Sequence, residues 1–466
     1  MIQYGQMKVF IPLVLKNIAE RLTKPLYVVG GYVRNFLIDG TLSSDIDIAA
    51  PLSTEEVVSA SESLGFKVVA EYKRTGTAVI FDGERKYEYT RFRTDVYDKG
   101  GAHTPVCTEF TDDIKLDALR RDFTCNAVYY DIVRDEIVDP LGGVSDIETK
   151  TLNTVKSPSE VFSSDGLRLM RLARFTGELN FTPTGEVLKG AKEYAKNIKD
   201  IAPERIYDEL KKILVADTKY PFSDKVGHYS ALKVLERTGV LDILFPELTA
   251  GRGMTQKAEF HKYDVLEHSL RAVLYADKSG RLAAFLHDVG KPFCKITYGT
   301  YKGHAERGEA IARDILKRLK ADKRTVDRVA ALVKFHMFDV KCDEEESVVR
   351  RFIVGNLAIL SDLLKLKQAD FTAGKDQPHI APAVSKWLDI YRKMQSDGTP
   401  FTLKDLKITA KDLIIIGFNG RSVGEELKFL FKFAVDNPEN NVKKTLREKA
   451  AADFKLLRSA LDKNSP

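Results

Sequence analysis

An α+β fold, with a mixed N-terminal head followed by an all-helical remainder, is what this 466-residue sequence predicts. Three observations carry that expectation. Up to about residue 145, short β-branched or aromatic runs bounded by turn residues read as strands: LYVVGG, SDIDIAA, FKVVAEY, TAVIF and YEYTRFR. From Val161 onward the apolar residues recur with a helical period, as in GLRLMRLARF, PERIYDELKKILV, YDVLEHSLRAVLYA and GEAIARDILKRL. Breaks containing Gly and Pro near Gly142-Gly143, Pro246 to Gly253 and Gly374 to Pro382 divide the chain into modules at 1–145, 146–250, 251–375 and 376–466.

Composition narrows the function classes. With 44% hydrophobic and 30% charged residues, the chain has the make-up of a soluble protein with a substantial core. Its formal charge of +6 permits a polyanionic partner without requiring one, and KKTLREKAAADFKLLR concentrates basic residues near the end. Four cysteines (Cys107, Cys125, Cys294 and Cys342) share no C-x-x-C spacing. That argues against a zinc knuckle or a disulfide framework, and for a reducing cytoplasm. The early run VFIPLVL contains proline and leads into an amphipathic pattern, and no apolar stretch reaches membrane-spanning length. The expected protein is cytoplasmic, with no membrane partner.

The chemistry of the head is concentrated in LYVVGGYVRNFLIDGTLSSDIDIA. Side chains at i and i+2 of a strand share a face, so Asp45 and Asp47 project together. Two crowded carboxylates repel unless a cation lies between them, and magnesium, a hard ion with oxygen ligands, suits that place. Two metals roughly 3.5–4 Å apart can activate an attacking hydroxyl and stabilise a departing pyrophosphate. Gly30 and Gly31 let backbone approach a triphosphate, and the helix that follows offers its N-terminus and Arg34 to phosphate charge. Glu88, in KYEYTRFR, is a candidate third carboxylate. Taken alone, D-x-D is a capped turn before a polar strand end and Glu88 is a solvated strand residue. The full order of strand, Gly-Gly, helix, turn and D-x-D is far more specific.

These segments resemble the nucleotidyltransferase superfamily typified by DNA polymerase beta. More closely, they resemble the class II tRNA nucleotidyltransferases (CCA-adding enzymes) and bacterial poly(A) polymerases, and the likeness covers nearly the whole chain. GGYVRNFL with SSDIDIA is similar to the family's metal-binding motif, which implies catalytic positions for Asp45 and Asp47. RRDFTCNAVYYD resembles the ribose-recognition motif, which implies nucleotide binding by Arg120, Arg121, Asp122 and Asn126. DPLGG, Asp139 to Gly143, resembles the hinge after the head, and PERIYDELKKIL the neck helix. KGGAHTPVCTEFTDD resembles a flexible loop used when the terminal adenosine is added.

SDGLRLMRLARF resembles the amino-acid template that reads the incoming base. An aspartate offers acceptors and an arginine fixed donors, so Asp165 and Arg168, three apart on one helix face, complement a base edge. Taken alone they are a helix ion pair. The resemblance implies Mg2+ in the head, CTP and ATP as substrates and a tRNA 3′ end as partner. Two residues depart from the pattern. Asn35 stands where the family has aspartate, and Ser164 where it has a glutamate that orients the arginine. An active but less discriminating enzyme is the expectation.

A second constellation follows. YDVLEHSL holds His268, AAFLHDVGKP holds His287 and Asp288, and His304, His336 and Asp370 come after. Imidazole and carboxylate together suit divalent transition metals. The set resembles an HD phosphohydrolase domain, which implies His268, His287, Asp288 and Asp370 as metal ligands and His304 and His336 for a second metal or the phosphate. The competing reading is a helical scaffold with vestigial ligands. In the tail, the turn from Gly417 to Gly424 would offer exposed amides, with Arg421 at a helix start, to RNA backbone phosphate. Rival functions are a poly(A) polymerase, an A-adding-only enzyme, a phosphohydrolase with an RNA-binding head, and a non-catalytic RNA-binding protein.

Overall fold

The computed structural model describes residues 8–96, 107–376 and 378–463, with side chains to residue 458. Residues 99–106 of the expected flexible loop lie outside the described residues. The chain divides into two compact units, residues 1–250 with 315–322 and residues 251–314 with 323–466. No helix among the described residues is long and apolar enough to cross a membrane.

Up to residue 138 the described strands of the first unit are β1 (Tyr27–Val29), β2 (Ile46–Ala50), β3 (Lys67–Tyr72), β4 (Thr77–Phe81), β5 (Lys86–Arg91), β6 (Arg93–Val96), β7 (Cys107–Phe110), β8 (Tyr129–Asp131) and β9 (Glu136–Val138). Seven of them form one sheet in the order β3-β4-β5-β2-β1-β8-β9, and β6 pairs with β7 apart from it. β2 runs antiparallel to β1 and parallel to β5. Strand alternation decides what faces where. Ile46 and Ile48 of β2 and Tyr87 and Tyr89 of β5 are buried, which turns Asp47 and Glu88 to the opposite face. The Tyr89 hydroxyl, donating to the carbonyls of Ala50 (3.2 Å) and Leu52 (2.5 Å), ties β5 to the end of β2.

Helix α1 (Gly31–Asp39) starts directly after β1. Its N-cap, Gly30, has φ +79°, a backbone conformation that L side chains avoid. A short helix, Pro158–Ser164, precedes α2 (Leu167–Leu179), which buries Leu169, Met170, Leu172 and Ala173. Gly177 lets α2 press against α4 (Gly227–Arg237), because a Cβ there would collide with the Gly227 carbonyl oxygen. Between them α3 (Pro203–Ile213) opens on proline, whose fixed φ and missing N–H suit a first helical turn.

The second unit is helical, with α5 (Val265–Tyr275), α6 (Arg281–Leu286), most of α7 (His304–Arg318), α8 (Lys323–Phe335) and α9 (Leu357–Lys375). Apolar periodicity in GEAIARDILKRL predicts a helix from Gly308, whereas α7 begins at His304. The polar first turn carries no apolar signal. Its start is marked instead by Gly303 at φ +80°. α10 (Arg421–Asp436) and α11 (Lys443–Lys463) enclose a small core of Leu413, Phe418, Leu430 and Leu446. The turn expected to expose amides does not expose them all. Gly417 and Phe418 donate to the Leu413 carbonyl, and Asn419 to the Ser422 hydroxyl. Arg421 stands at the start of α10, 93% exposed, with Nε 2.8 Å from Glu425.

Glu426 of α10 is 7% exposed, and its Oε1 has no hydrogen-bond partner. Burial, then the charge of Asp453, push its carboxyl up to about 7 against the pull of Lys449. Folding therefore takes up a proton between the ordinary glutamate value and about 7, and the stability gained below that window is lost as pH rises through it. The melting temperature of the chain is expected to fall from about pH 5 to about pH 8, and Glu426→Gln to flatten that slope. Equal slopes in the two proteins would refute the assignment.

Candidate active site and metal centre

A cleft of about 850 Å³ opens over the sheet of the first unit. Asp45 and Asp47 line it, with Gly30 and Gly31 beside them. The parallel register of β2 and β5 sets Asp47 directly opposite Glu88, and Asp45, just before β2, lines the same cleft as Asp47. Glu88 stands next to Asp47 but is not part of the cleft wall. Desolvation, followed by the charges of Glu88 and Asp45, holds the Asp47 carboxyl above the usual range, while Arg121 and Arg171 pull the other way. Among the described residues no ion pair reaches any of the three carboxylates. Unpaired like charges on one face fit a divalent cation, and Asp45 and Asp47 are the residues that would hold it.

A Cβ on Gly30 would stand 3.5 Å from Asp47 Oδ2, so glycine keeps the backbone close to the carboxylates. Arg34 is buried at the cleft wall. It donates to Asn126 Oδ1, to Asn35 Oδ1 (3.1 and 2.8 Å) and to the Tyr220 hydroxyl (3.2 Å). Asn35, fully buried, gives Arg34 a neutral acceptor where a carboxylate would have cancelled its charge, and the Asn35 amide nitrogen has no partner.

The RRDFTCN segment is held by two buried carboxylates. Asp117 accepts from Arg120 Nε (2.8 Å), Arg121 Nη2 (3.1 Å) and the Tyr129 hydroxyl (2.6 Å). Asp122 accepts from Arg171 through Nε (2.7 Å) and Nη2 (2.6 Å), and from Asn126 Nδ2 (3.0 Å). Burial works to raise the Asp122 carboxyl, but Arg171, Asn126 and Arg168 outweigh it and hold it well below the usual range. A continuous chain of bonds thus runs from Arg171 through Asp122 and Asn126 to Arg34.

Asp165 and Arg168 line the same cleft, with Arg168 Nε 3.8 Å from Asp165 Oδ2. Arg168 is further fixed by the Arg120 carbonyl (2.6 Å), the Ser164 hydroxyl (3.2 Å) and the Val161 carbonyl (3.4 Å). Ser164 therefore bonds the arginine as a neutral acceptor. Sequence reasoning missed Arg171 and Arg174, which also line the cleft. The signal was present: Arg168, Arg171 and Arg174 recur every third residue of α2, on one face.

In the second unit the six expected residues come together. His268 Nε2 lies 2.8 Å from Asp370 Oδ1 and 3.2 Å from His287 Nε2. His304 Nε2 lies 3.3 Å from both His336 Nε2 and Asp288 Oδ1. The ligand atoms fall into two sets, His268, His287 and Asp370, then Asp288, His304 and His336. Asp288, predicted with the first set, faces both: Oδ2 lies 3.1 Å from His287 Nε2 and 3.4 Å from His268 Nε2, while Oδ1 turns to His304 and His336. Nδ1 of His287, His304 and His336 each meets a backbone carbonyl, of Ala284 (2.7 Å), Tyr301 (2.8 Å) and Val333 (2.6 Å). A carbonyl only accepts, so Nδ1 carries the proton and Nε2 turns inward as a ligand. Burial lowers His287, but Asp288 and Asp370 carry it up to about 10, through a proton on Nε2 that a cation bound between these carboxylates would displace, whereas burial pushes His336 down to about 4. Lys291, missed in sequence, sits with Nζ 2.5 Å from Asp288 Oδ2 and 2.8 Å from Gln256 Oε1. Asp288 Oδ1 is buried without a hydrogen-bond partner. This donor set fits a divalent transition metal, which when bound would polarise a phosphoryl oxygen.

Comparison with known proteins agrees with this geometry. Residues 26–153 match the poly(A) polymerase head domain, 180–251 the probable RNA and SrmB-binding site of polymerase A, and 265–354 the HD domain. Asp165 and Arg168 lie between these matches and Asp370 beyond them. The chain is 33% identical over 365 residues to the A-adding tRNA nucleotidyltransferase of Deinococcus radiodurans, covering 75% of this chain and 76% of that one. It is 29% identical over 429 residues to the CCA-adding enzyme of Bacillus pumilus, covering 91% and 92%. The Bacillus stearothermophilus CCA-adding enzyme, solved in complex with CTP, shares the fold with a TM-score of 0.65 at 22% identity, over 97% of this chain and 100% of that one. The chain is a tRNA nucleotidyltransferase and belongs to the class II CCA-adding enzyme and poly(A) polymerase family, with its head, RNA-binding and HD domains.

Proposed function

We propose that this enzyme adds C and A to the 3′ end of tRNA, drawing on CTP and ATP and releasing pyrophosphate. The observation that carries the reading is that Asp45 and Asp47 share one cleft with Asp165 and Arg168. One group would hold the reacting phosphate, the other would read the base. Mg2+ on Asp45 and Asp47 would supply Lewis-acid polarisation of the triphosphate. Glu88 adds negative charge beside Asp47 and strengthens its hold on a cation. Gly30, Gly31 and Arg34 receive the phosphates, while Arg120, Arg121, Asp122 and Asn126 position the sugar. Asp165 accepts from and Arg168 donates to the base edge. The terminal RNA hydroxyl attacks the α-phosphate.

In this reading residues 1–145 are the head, 146–250 the neck and body, 251–375 a metal-dependent phosphohydrolase and 376–466 an RNA-binding tail using Arg421. Four free cysteines support a cytoplasmic setting. A narrower activity, adding A alone, is favoured by the likeness to the A-adding Deinococcus radiodurans enzyme. Transcripts ending before the first C, after C,C and after A separate the two. C and A addition to the shortest transcript supports the full activity, and extension of only the C,C end supports the narrower one.

Asp45→Ala is expected to lower nucleotide addition by about a thousandfold or more while any phosphatase activity survives. Retained addition would remove the head from the mechanism. Charge-assisted hydrogen bonds are about twice as strong as neutral ones, a gain of about 1 kcal/mol here. Ser164→Glu is therefore expected to sharpen selection of CTP and ATP over UTP and GTP by about fivefold. Native discrimination already as sharp as the variant's would sink that expectation.

A further inference from the structure

Among the described residues, Arg34 and Tyr220 leave two hydrogen-bond donors without an acceptor at one wall of the cleft. A guanidinium has five N–H groups. Four of those on Arg34 go to neutral acceptors: Nε and Nη2 meet Asn35 Oδ1, a further Nη2 bond reaches the Tyr220 hydroxyl (3.2 Å), and Nη1 meets Asn126 Oδ1. The last, on Nη1, meets no acceptor among the described residues. The Tyr220 hydroxyl accepts from Arg34, and its own proton likewise meets none. We propose that Tyr220 is a triphosphate-binding residue, donating its hydroxyl to an outer phosphate of the incoming nucleotide beside Arg34. The proposal rests on the reading that Gly30, Gly31 and Arg34 receive the phosphates.

Close approaches at the two glycines give the wall its order. A Cβ on Gly30 would stand 3.5 Å from Asp47 Oδ2, and one on Gly31 would stand 3.6 Å from Arg34 Nη2. From the carboxylates the wall therefore runs through Gly30 and Gly31 to Arg34, and from Arg34 to Tyr220. The reacting α-phosphate belongs beside Asp45 and Asp47, so the outer phosphates lie toward Arg34. The same Nη2 that approaches Gly31 bonds the Tyr220 hydroxyl, which sets that hydroxyl one nitrogen away from the glycines.

Tyr220 is fixed in place from behind. Its half-buried ring stacks on Phe222, with centroids 5.0 Å apart and planes inclined by 14°. Its backbone N–H donates to Ser223 Oγ (3.2 Å), and the Ser223 hydroxyl donates to the Glu178 carbonyl near the end of α2 (2.6 Å). A hydroxyl that accepts from a guanidinium becomes the stronger donor in turn, because chained hydrogen bonds polarise one another. Phosphate, an anion rich in acceptors, suits this pair of donors. A latch that only tied the turn to Arg34 would use the accepting side of the hydroxyl and leave its proton idle.

The test compares the full chain with its Tyr220→Phe and Arg34→Gln variants, titrated calorimetrically in Mg2+ with CTP, ATP, CMP and inorganic tripolyphosphate. Phenylalanine keeps the ring and removes only the hydroxyl. Tyr220→Phe is expected to weaken CTP, ATP and tripolyphosphate alike by about tenfold, the worth of a hydrogen bond to a charged group, and to leave CMP unchanged. In steady state, KM for both nucleotides should rise while kcat holds. Full tripolyphosphate affinity in Tyr220→Phe, with Arg34→Gln weakened, overturns the role of Tyr220 and leaves the phosphate reading of Arg34 standing. Full affinity in both variants overturns both. A loss of CMP in step with CTP marks a general disturbance of the cleft and also overturns the assignment. Should Tyr220→Phe fail to melt cooperatively, 3-fluorotyrosine placed at 220 decides instead: its fluorine resonance should move with tripolyphosphate and not with CMP, and a signal unmoved by tripolyphosphate overturns the contact.

Discussion

Like charges on one face of a sheet are the constraint around which the head is built. The parallel register of β2 and β5 puts Asp47 beside Glu88, and Asp45, just before β2, adds its charge to theirs. At an effective dielectric of about 20, two carboxylates about 5 Å apart repel by about 3 kcal/mol. Among the described residues no ion pair relieves them. The arrangement is stable in use only with cations present, and a triphosphate is the natural companion of such cations. Gly30 brings bare backbone to within reach, and Arg34, Arg120, Arg121 and Arg171 are among the arginines that line the same cleft.

Those arginines are not loose. Asp117 pins Arg120 and Arg121 from beneath, and Asp122 joins α2 to the head through Arg171 on one side and Asn126 on the other. Buried carboxylates thus fix the donors in advance of the nucleotide, which is the preorganisation that electrostatic catalysis requires. The neutral partners, Asn35 for Arg34 and Ser164 for Arg168, do the same work without cancelling charge. Arg34 therefore keeps its full positive charge for phosphate. Arg168 keeps its charge for the base but is held by weaker bonds.

What the sequence revealed follows from locality. Asp45 and Asp47 were legible because strand alternation is decided over three residues. Glu88 was legible as a strand carboxylate, but its place beside Asp47 depends on a parallel pairing across some forty residues, which no local pattern encodes. Asp117, the anchor of Arg120 and Arg121, read as an ordinary helical acid. Arg171 and Arg174 were hidden in a run read for its apolar period, although their spacing with Arg168 was visible. The six HD residues were found by type and spacing. The contact of Asp288 with both groups of histidines was not, because it turns on which way its two oxygens point. Not all of the tail's expected amides are free, because a Gly-rich turn can close on itself, as Gly417 and Phe418 do on Leu413.

The account stands on divalent ions held by Asp45 and Asp47 against a triphosphate at Gly30 and Gly31. A crystal structure of the chain with Mn2+ and a non-hydrolysable CTP analogue tests this most directly. Anomalous density bound by both aspartates, with the triphosphate along the start of α1, is the result the account requires. Manganese absent from that pair, or a nucleotide seated elsewhere while the two side chains face apart, would contradict it.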